Sequence, residues 1–156
     1  MMSETHVHET GARLTLDSQL ADLTLVWPWV DALALQYAIS DQTKFAVSLC
    51  LEEALSNIIR HGHSCMPNHP ITVDCAPNGE SWLMFIVEDS APPFAPSESL
   101  TPNPAAAPAS IEDVTPGGQG IILMRRFADT LAWERLPNGN RLTLGFQIAS
   151  PALAAS

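Results

Sequence analysis

The chain has 156 residues, of which 46% are hydrophobic and 15% charged, and this composition predicts one ordinary folded domain. Its net charge of −10 would repel phosphate backbones and anionic lipid, so nucleic acid and membrane surfaces are poor candidates as partners. The sequence contains no apolar run near the roughly 20 residues of a spanning helix, and its start lacks the pattern of a signal peptide. Three irregularly spaced cysteines argue against a disulfide framework, so we expect a reducing, cytoplasmic compartment.

The first half of the chain predicts a tail, a strand and two helices. Residues 1–11 are polar and without periodicity, which is typical of a flexible tail, and 13–17 alternate as in a short strand. Apolar residues at helical spacing predict a helix over 22–39, kinked or late-starting because of Pro28. A second helix is predicted over about 40–62, where a glycine can close it.

The second half predicts two hairpins with a helix between them. The predicted elements are strands over 71–76 and 82–88, a helix over 119–128, and strands over 131–136 and 141–148. Asn138 and Gly139 form the strongest short turn signal in the chain and should connect the last two strands.

A proline-rich stretch over about 92–118 divides the two hairpins and cannot form a helix or a central strand. The remaining order of elements predicts an α+β fold, a two-layer sandwich of a mixed, mostly antiparallel sheet covered on one face by about three helices. Clean alternation in the last strand leaves the other sheet face open to water. We expect a single domain over 12–149, followed by a tail at 150–156.

The second helix carries a pair of residues that could perform phosphoryl transfer chemistry. Glu53 and Asn57 lie four residues apart and therefore share a face of the helix. An amide oxygen is a suitable ligand for Mg²⁺, and a glutamate can accept the proton of a hydroxyl nucleophile. Taken alone, such a pair is also typical of an ordinary solvated helix face.

Two further segments suggest a ligand site. Asp89 ends an apolar strand, where a carboxylate can accept a hydrogen bond from an exocyclic amine, and Phe94 offers an apolar wall beside it. Gly117, Gly118 and Gly120 stand at a helix start, an arrangement that exposes backbone N–H groups to phosphate. Each segment has an ordinary explanation, a turn for the first and a hinge or cap for the second.

The order and spacing of four segments resemble the set of sequence motifs of one known protein superfamily. These segments are E-E-A-L-S-N-I-I-R-H-G at 52–62, V-E-D-S-A-P-P-F at 87–94, G-G-Q-G-I-I-L-M-R-R-F-A-D at 117–129, and N-G-N-R-L-T-L at 138–144. They resemble the nucleotide-binding boxes and last hairpin of the GHKL ATPase superfamily, which has the Bergerat-type fold. Within that superfamily, this chain resembles the short, single-domain members, which are the anti-sigma factor serine-protein kinases of the RsbW type.

The resemblance implies ATP and Mg²⁺ as cofactors, with the loop at about 92–118 as the ATP lid. Glu53 would be the catalytic base and Asn57 the Mg²⁺ ligand. The other implied ATP-binding residues are Asp89, which would bind the adenine amine, Phe94, Gly117, Gly118 and Gly120.

The same resemblance implies partners. One is an RNA polymerase sigma factor, another is a STAS-domain anti-sigma antagonist phosphorylated on serine, and the chain itself would form a homodimer. Ala91 replaces a glycine of the family pattern, and the lid has no basic residue, which leaves Arg125 or Arg126 to counter γ-phosphate charge. These departures predict slow phosphotransfer and favour an alternative, a nucleotide-sensitive or nucleotide-independent anti-sigma binding module without significant kinase activity.

Two other features are open from sequence. Trp27 and Trp29 cannot both face the core of one helix, so one of them is available to a partner. His61, His63, Cys65 and His69 carry zinc-type donors, but their spacing matches no established zinc pattern.

Overall fold

The computed structural model describes residues 12–92 and 119–148. Within them, the strands are β1 (Ala12–Leu16), β2 (Ile71–Asn78), β3 (Trp82–Asp89), β4 (Thr130–Leu136) and β5 (Gly139–Gln147). The α-helices of the same residues are α1 (Val26–Gln36), α2 (Asp41–Asn57) and α3 (Gln119–Phe127). The predicted tails at 1–11 and 150–156 and nearly all of the predicted lid lie outside the described residues. No helix in the described ranges has the length and hydropathy needed to cross a bilayer.

The strands form one sheet in the order β1-β2-β3-β5-β4. Every pair in it is antiparallel, so the predicted α+β sandwich is confirmed, but the expected mixture of parallel and antiparallel pairing is wrong for the described strands. Alternation within a strand is a local pattern, but the direction of neighbouring strands is not, because direction depends on which strands are adjacent. The core lies between one sheet face and the helices; its largest fully buried members include Leu51, Leu55, Phe85 and Phe146.

The other sheet face carries ion pairs that cross between strands. Arg13 Nε lies 2.7 Å from Asp74 Oδ1, and Arg141 Nε lies 2.7 Å from Glu88 Oε2. Arg141 also reaches Glu134 on β4, at 3.4 Å. Since charged side chains of this kind remain solvated, the prediction of a wet sheet face is confirmed.

The helix predicted over 22–39 starts late, because a 3₁₀ helix at Leu20–Leu25 precedes α1. Pro28 occupies the first turn of α1, where its missing N–H is tolerated. Trp29 packs edge-on against Phe85 of β3 at 6.1 Å between ring centroids, whereas Trp27 remains 38% exposed. Trp27 is therefore the tryptophan of this pair that is available to a partner.

Helix α2 begins where the sequence predicted and ends in an unusual way. Ser40 caps it, since its side-chain oxygen accepts a hydrogen bond from the Thr43 amide. After Asn57 the chain continues as a π-helical turn over Ile58–Gly62, closed by a 2.9 Å bond from the His63 amide to the Ile58 carbonyl. Such wide turns inside helices occur often at functional sites.

Both hairpin turns differ from the predicted positions. Strand β2 continues to Asn78, and the turn follows at Gly79, which adopts a left-handed φ of 73°. In the last hairpin Gly139 already pairs with Leu136, so the turn residues are Pro137 and Asn138. The predicted Asn-Gly turn is therefore displaced by one position.

Candidate functional site

The second half of α2 presents two polar residues on one face, and a third polar residue follows in the π-helical turn. Glu53, Asn57 and Arg60 follow one another at spacings of four and three residues. Glu53 is half-buried, Asn57 is only 8% exposed, and Arg60 is exposed. Neither the Glu53 carboxylate nor the Asn57 amide forms a hydrogen bond with another described residue. Within residues 12–92 and 119–148, neither group has a partner that would compete with a ligand or a metal ion.

Burial changes the acidity of Glu53. Removal from water raises the pKa of the Glu53 carboxyl above its ordinary value, and the neighbouring Glu52 raises it further. The guanidinium of Arg60 opposes the shift and favours the ionised form. A glutamate whose pKa is raised is a better proton acceptor when ionised, which is the property that a general base needs.

Asp89 lies at the end of β3, where its carboxylate is 9% exposed. Its Oδ1 accepts two hydrogen bonds, at 2.7 Å from the Ala91 amide and 2.9 Å from Asn140 Nδ2. Burial raises the pKa of Asp89, while these hydrogen bonds and the charges of His63 and Arg135 oppose the rise. Both of these bonds go to Oδ1, and Oδ2 accepts none from the described residues, so within them it can accept from a ligand donor.

The β4–β5 hairpin holds this carboxylate in position. Asn140, which is 2% exposed, faces Asp89 across the β3–β5 pair and also donates to the Ala91 carbonyl at 3.1 Å. Arg135 donates to the same carbonyl at 2.8 Å and to Asn140 Oδ1 at 3.2 Å. Ala91 is fully buried and is not among the residues with left-handed φ. Its backbone therefore fits here without the freedom of a glycine.

The remaining predicted site residues lie partly outside the structure. Gly120 is in the first turn of α3, whereas Phe94, Gly117 and Gly118 fall outside the described residues. Arg125 and Arg126 are exposed in the last turn of α3. Their roles stay predictions.

A cavity and the hypothetical zinc site were compared with the position of the candidate site. A cavity of about 350 Å³ lies between the start of α2 and the end of α3, with Phe45 and Phe127 in its wall; Arg126 lines it, but Glu53, Asn57 and Asp89 do not. In residues 12–92 and 119–148 no three His, Cys, Asp or Glu side chains are arranged to hold a metal. The zinc hypothesis for the histidines and Cys65 is therefore not supported there.

Sequence reasoning missed four residues of the site. Arg60 could have been found, because it continues the helical spacing of Glu53 and Asn57. Asn140 and Arg135 could not, since Asn140 reaches Asp89 through the β3–β5 register and Arg135 reaches Ala91 only when β4 is also paired with β5. His63, considered only as a zinc donor, instead acts electrostatically on Asp89.

Together, the elements form an α+β sandwich with a buried carboxylate at a strand end and a carboxylate–amide pair on the covering helix. This combination is that of a nucleotide-binding ATPase domain. The chain belongs to the histidine kinase-like ATPase domain family, whose model matches residues 16–146. The predicted resemblance is thus confirmed at the level of the family, and ATP is the cofactor that the family implies.

Individual known proteins are also similar to this chain, in sequence or in fold. The Serine/threonine-protein kinase BtrW of Bordetella bronchiseptica is 32% identical over 117 residues, which cover 74% of this chain and 79% of that protein. This similarity supports a kinase-like function. The histidine kinase domain of the Erythrobacter litoralis EL346 blue-light activated histidine kinase superposes with a TM-score of 0.50 at 15% identity. That match covers 83% of this chain and 60% of the other, and at this identity it shows the fold alone.

Proposed function

We propose that the chain is an ATP-dependent serine-protein kinase that is also an anti-sigma factor. It would bind an RNA polymerase sigma factor in the cytoplasm and phosphorylate a serine of a STAS-domain antagonist. The observation that carries the kinase part is the half-buried Glu53, with its raised pKa, one helical turn from the buried amide of Asn57. The similarity to a serine/threonine-protein kinase supports the same reaction class.

Each candidate site residue has a separate role in the proposed phosphoryl transfer. Asn57 offers a neutral oxygen to Mg²⁺, and Asp89 offers its Oδ2 to the amine of adenine. Glu53 takes the proton from the serine hydroxyl as the phosphoryl group is transferred. Arg60, in the π-helical turn that follows α2, would supply positive charge for phosphate. ATP supplies the γ-phosphoryl group and leaves as ADP.

Ala91 bears on the choice between a kinase and a binding module. A side chain at this position was expected to disturb the loop that follows Asp89. The buried methyl group is instead accommodated, with the Ala91 amide bonded to Asp89 and its carbonyl bonded to Arg135. This arrangement favours a retained adenine site, which both the kinase and a nucleotide-sensitive binding module would need.

The partners and the homodimer follow from the resemblance to RsbW-type kinases. The exposed face of Trp27 on α1 is a surface that a protein partner could contact. The net charge of −10 would favour a partner with basic residues.

The test uses Mg-ATP labelled at the γ-phosphate and purified STAS-domain proteins from the same genome. We expect phosphoserine on one of them with the wild-type chain and its loss with Glu53→Gln. Glu80→Gln, an exposed glutamate at the β2–β3 turn, is the matched control and should retain transfer. ADP binding without any transfer would support the binding module instead.

A further inference from the structure

The cavity between the start of α2 and the end of α3 is a groove with aromatic walls. Its volume of about 350 Å³ is within the range of ligand-sized pockets. The rings of Phe45 and Phe127 meet edge to face there, with 6.3 Å between their centroids, and the buried Phe146 of β5 also lines it. Phe45 is 51% exposed, although an aromatic ring gains stability when it is removed from water. The groove therefore presents apolar surface that an apolar segment would cover favourably.

The last described residues of the chain leave the sheet beside this groove. Gln147, which ends β5, lines the groove, and its amide donates to Asp129 Oδ2 at 2.7 Å. The amide of Ile148 donates to the Ser81 carbonyl at 2.6 Å, and the Ile148 side chain packs against the core. These two bonds fix the point from which residues 149–156 continue. That point is adjacent to the wall of the groove.

Residues 149–156 have a composition that suits an apolar groove. They read A-S-P-A-L-A-A-S, contain no charged side chain, and have Leu153 as their one large hydrophobic residue. Because the chain has a net charge of −10, an uncharged segment approaches it without electrostatic repulsion. Leu153 is five residues beyond Ile148, and five extended residues span up to about 17 Å. Leu153 is therefore within reach of the groove.

The size of the groove favours a segment of the same chain over a separate protein. Nine described residues line the groove, whereas a specific protein–protein interface usually takes about 20–30 residues from each side. A tethered segment needs less contact area, because attachment by a short linker gives it an effective concentration of about millimolar. A second copy of the chain or a segment of another protein would have to bind without that advantage.

We propose that residues 149–156 fold back into this groove, with Leu153 against the rings of Phe45 and Phe127. The segment covers the exposed ring of Phe45 and contacts the start of α2 and the end of α3 at the same time. It thereby holds these two helices together at a place that Glu53, Asn57 and Asp89 do not line. The contact joins apolar groups, so it requires neither nucleotide nor a protein partner.

The first test measures disulfide formation between the segment and the groove in the full chain. Ala154→Cys is combined with Gln42→Cys, at a position that lines the groove, and Cys65→Ser removes the exposed native thiol. In the matched control Glu80→Cys replaces Gln42→Cys, because Glu80 is exposed and close to the chain exit but does not line the groove. We expect the groove pair to cross-link within one chain about tenfold faster, since a bound segment concentrates its thiol there.

The outcomes of the cross-linking test are distinct. Equal rates for the two pairs would overturn the proposal, because a segment that is not bound meets both positions at similar rates, and the groove would then be left for another protein. Cross-links that join two chains instead of closing one would also overturn it and would assign the groove to a second copy. Non-reducing denaturing gels at several chain concentrations separate these cases.

A second test needs no added cysteine. Leu153→Asp places a charge against the aromatic rings, whereas Ser156→Asp adds the same charge outside the proposed Leu153 contact. We expect urea unfolding to show that the folding equilibrium constant falls about tenfold more for Leu153→Asp, because a leucine buried against the rings is lost. In a Phe45→Ala chain this difference should shrink, since the exposed ring of the groove is absent. Equal equilibrium constants for the two aspartate variants would contradict the proposal.

Discussion

Gly139 and Asp89 approach each other so closely that a Cβ at Gly139 would lie 1.8 Å from the Asp89 carbonyl oxygen. Gly139 has no left-handed φ, so its role here is not turn formation. The absence of a side chain lets the start of β5 pass directly against the strand end that carries the candidate adenine carboxylate.

Gly139→Ala should displace Asp89 and weaken ADP binding, since the obstructing atom is backbone and cannot rotate away. We expect a loss of about 1–3 kcal/mol in the free energy of unfolding. Gly79→Ala is the matched control: it forces a left-handed residue at a cost of about 1 kcal/mol, with open space around it. Urea unfolding and ADP calorimetry on both variants separate the two effects, and equal ADP affinities would contradict the prediction.

Asn140→Ala removes the side chain that bonds both Asp89 and Ala91. The loss should destabilise the fold by about 1–3 kcal/mol, because buried polar groups lose their partner. It should also raise the pKa of Asp89 further, since the Asn140 bond lowers it. Carbon NMR titration of the carboxyl measures this shift. Asn78→Ala, at an exposed position, should change neither quantity.

The stability of the chain should decrease in acid because of His63. Its pKa in the folded chain lies below the ordinary value of 6.5, so the unfolded chain binds the proton first as the pH falls. This group therefore costs no stability above pH 6.5 and destabilises progressively as the pH falls through the folded-state pKa. Thermal unfolding of wild type against His63→Phe should show a steeper acid decline in the wild type, and parallel curves would contradict it.

The three cysteines should differ in reactivity. Burial raises the pKa of Cys50 and of Cys75 to about 12, so both thiols stay protonated and shielded at pH 8. Cys65 is exposed. A chromogenic disulfide reagent should therefore modify one thiol in the native chain and three after denaturation. Rapid modification of more than one native thiol would contradict the burial of these residues.

The two tryptophans of α1 should contribute unequally to stability. Trp29→Ala removes a ring packed on Phe85 and should cost about 3 kcal/mol or more. Trp27→Ala should lower the free energy of unfolding by about 1 kcal/mol or less. The exposed ring loses only one hydrogen bond, which its Nε1 donates to Glu52 at 3.2 Å. Denaturant midpoints compare the two variants, and an equal loss would be inconsistent with the packing.

Local sequence patterns were sufficient to predict the strands, α2 and the position of Asp89 at a strand end. Alternation and helical spacing depend on residues that are near one another in the sequence, so both patterns can be recognised without knowledge of the fold. The bonds from Asn140 to Asp89 were not predictable, because these residues are 51 positions apart and meet only through strand register. Trp27 and Trp29 are chemically identical, so only the rotation of α1 about its axis decides which ring is buried.

The π-helical turn at Ile58–Gly62 makes this part of the chain sensitive to length as well as to composition. Deleting one residue there would return the segment to regular helical winding and rotate everything after it by about 100°. The polar face of α2 would survive such a deletion, but the stack of the His63 ring on the His69 ring, with 4.5 Å between their centroids, would have to form again in a different geometry.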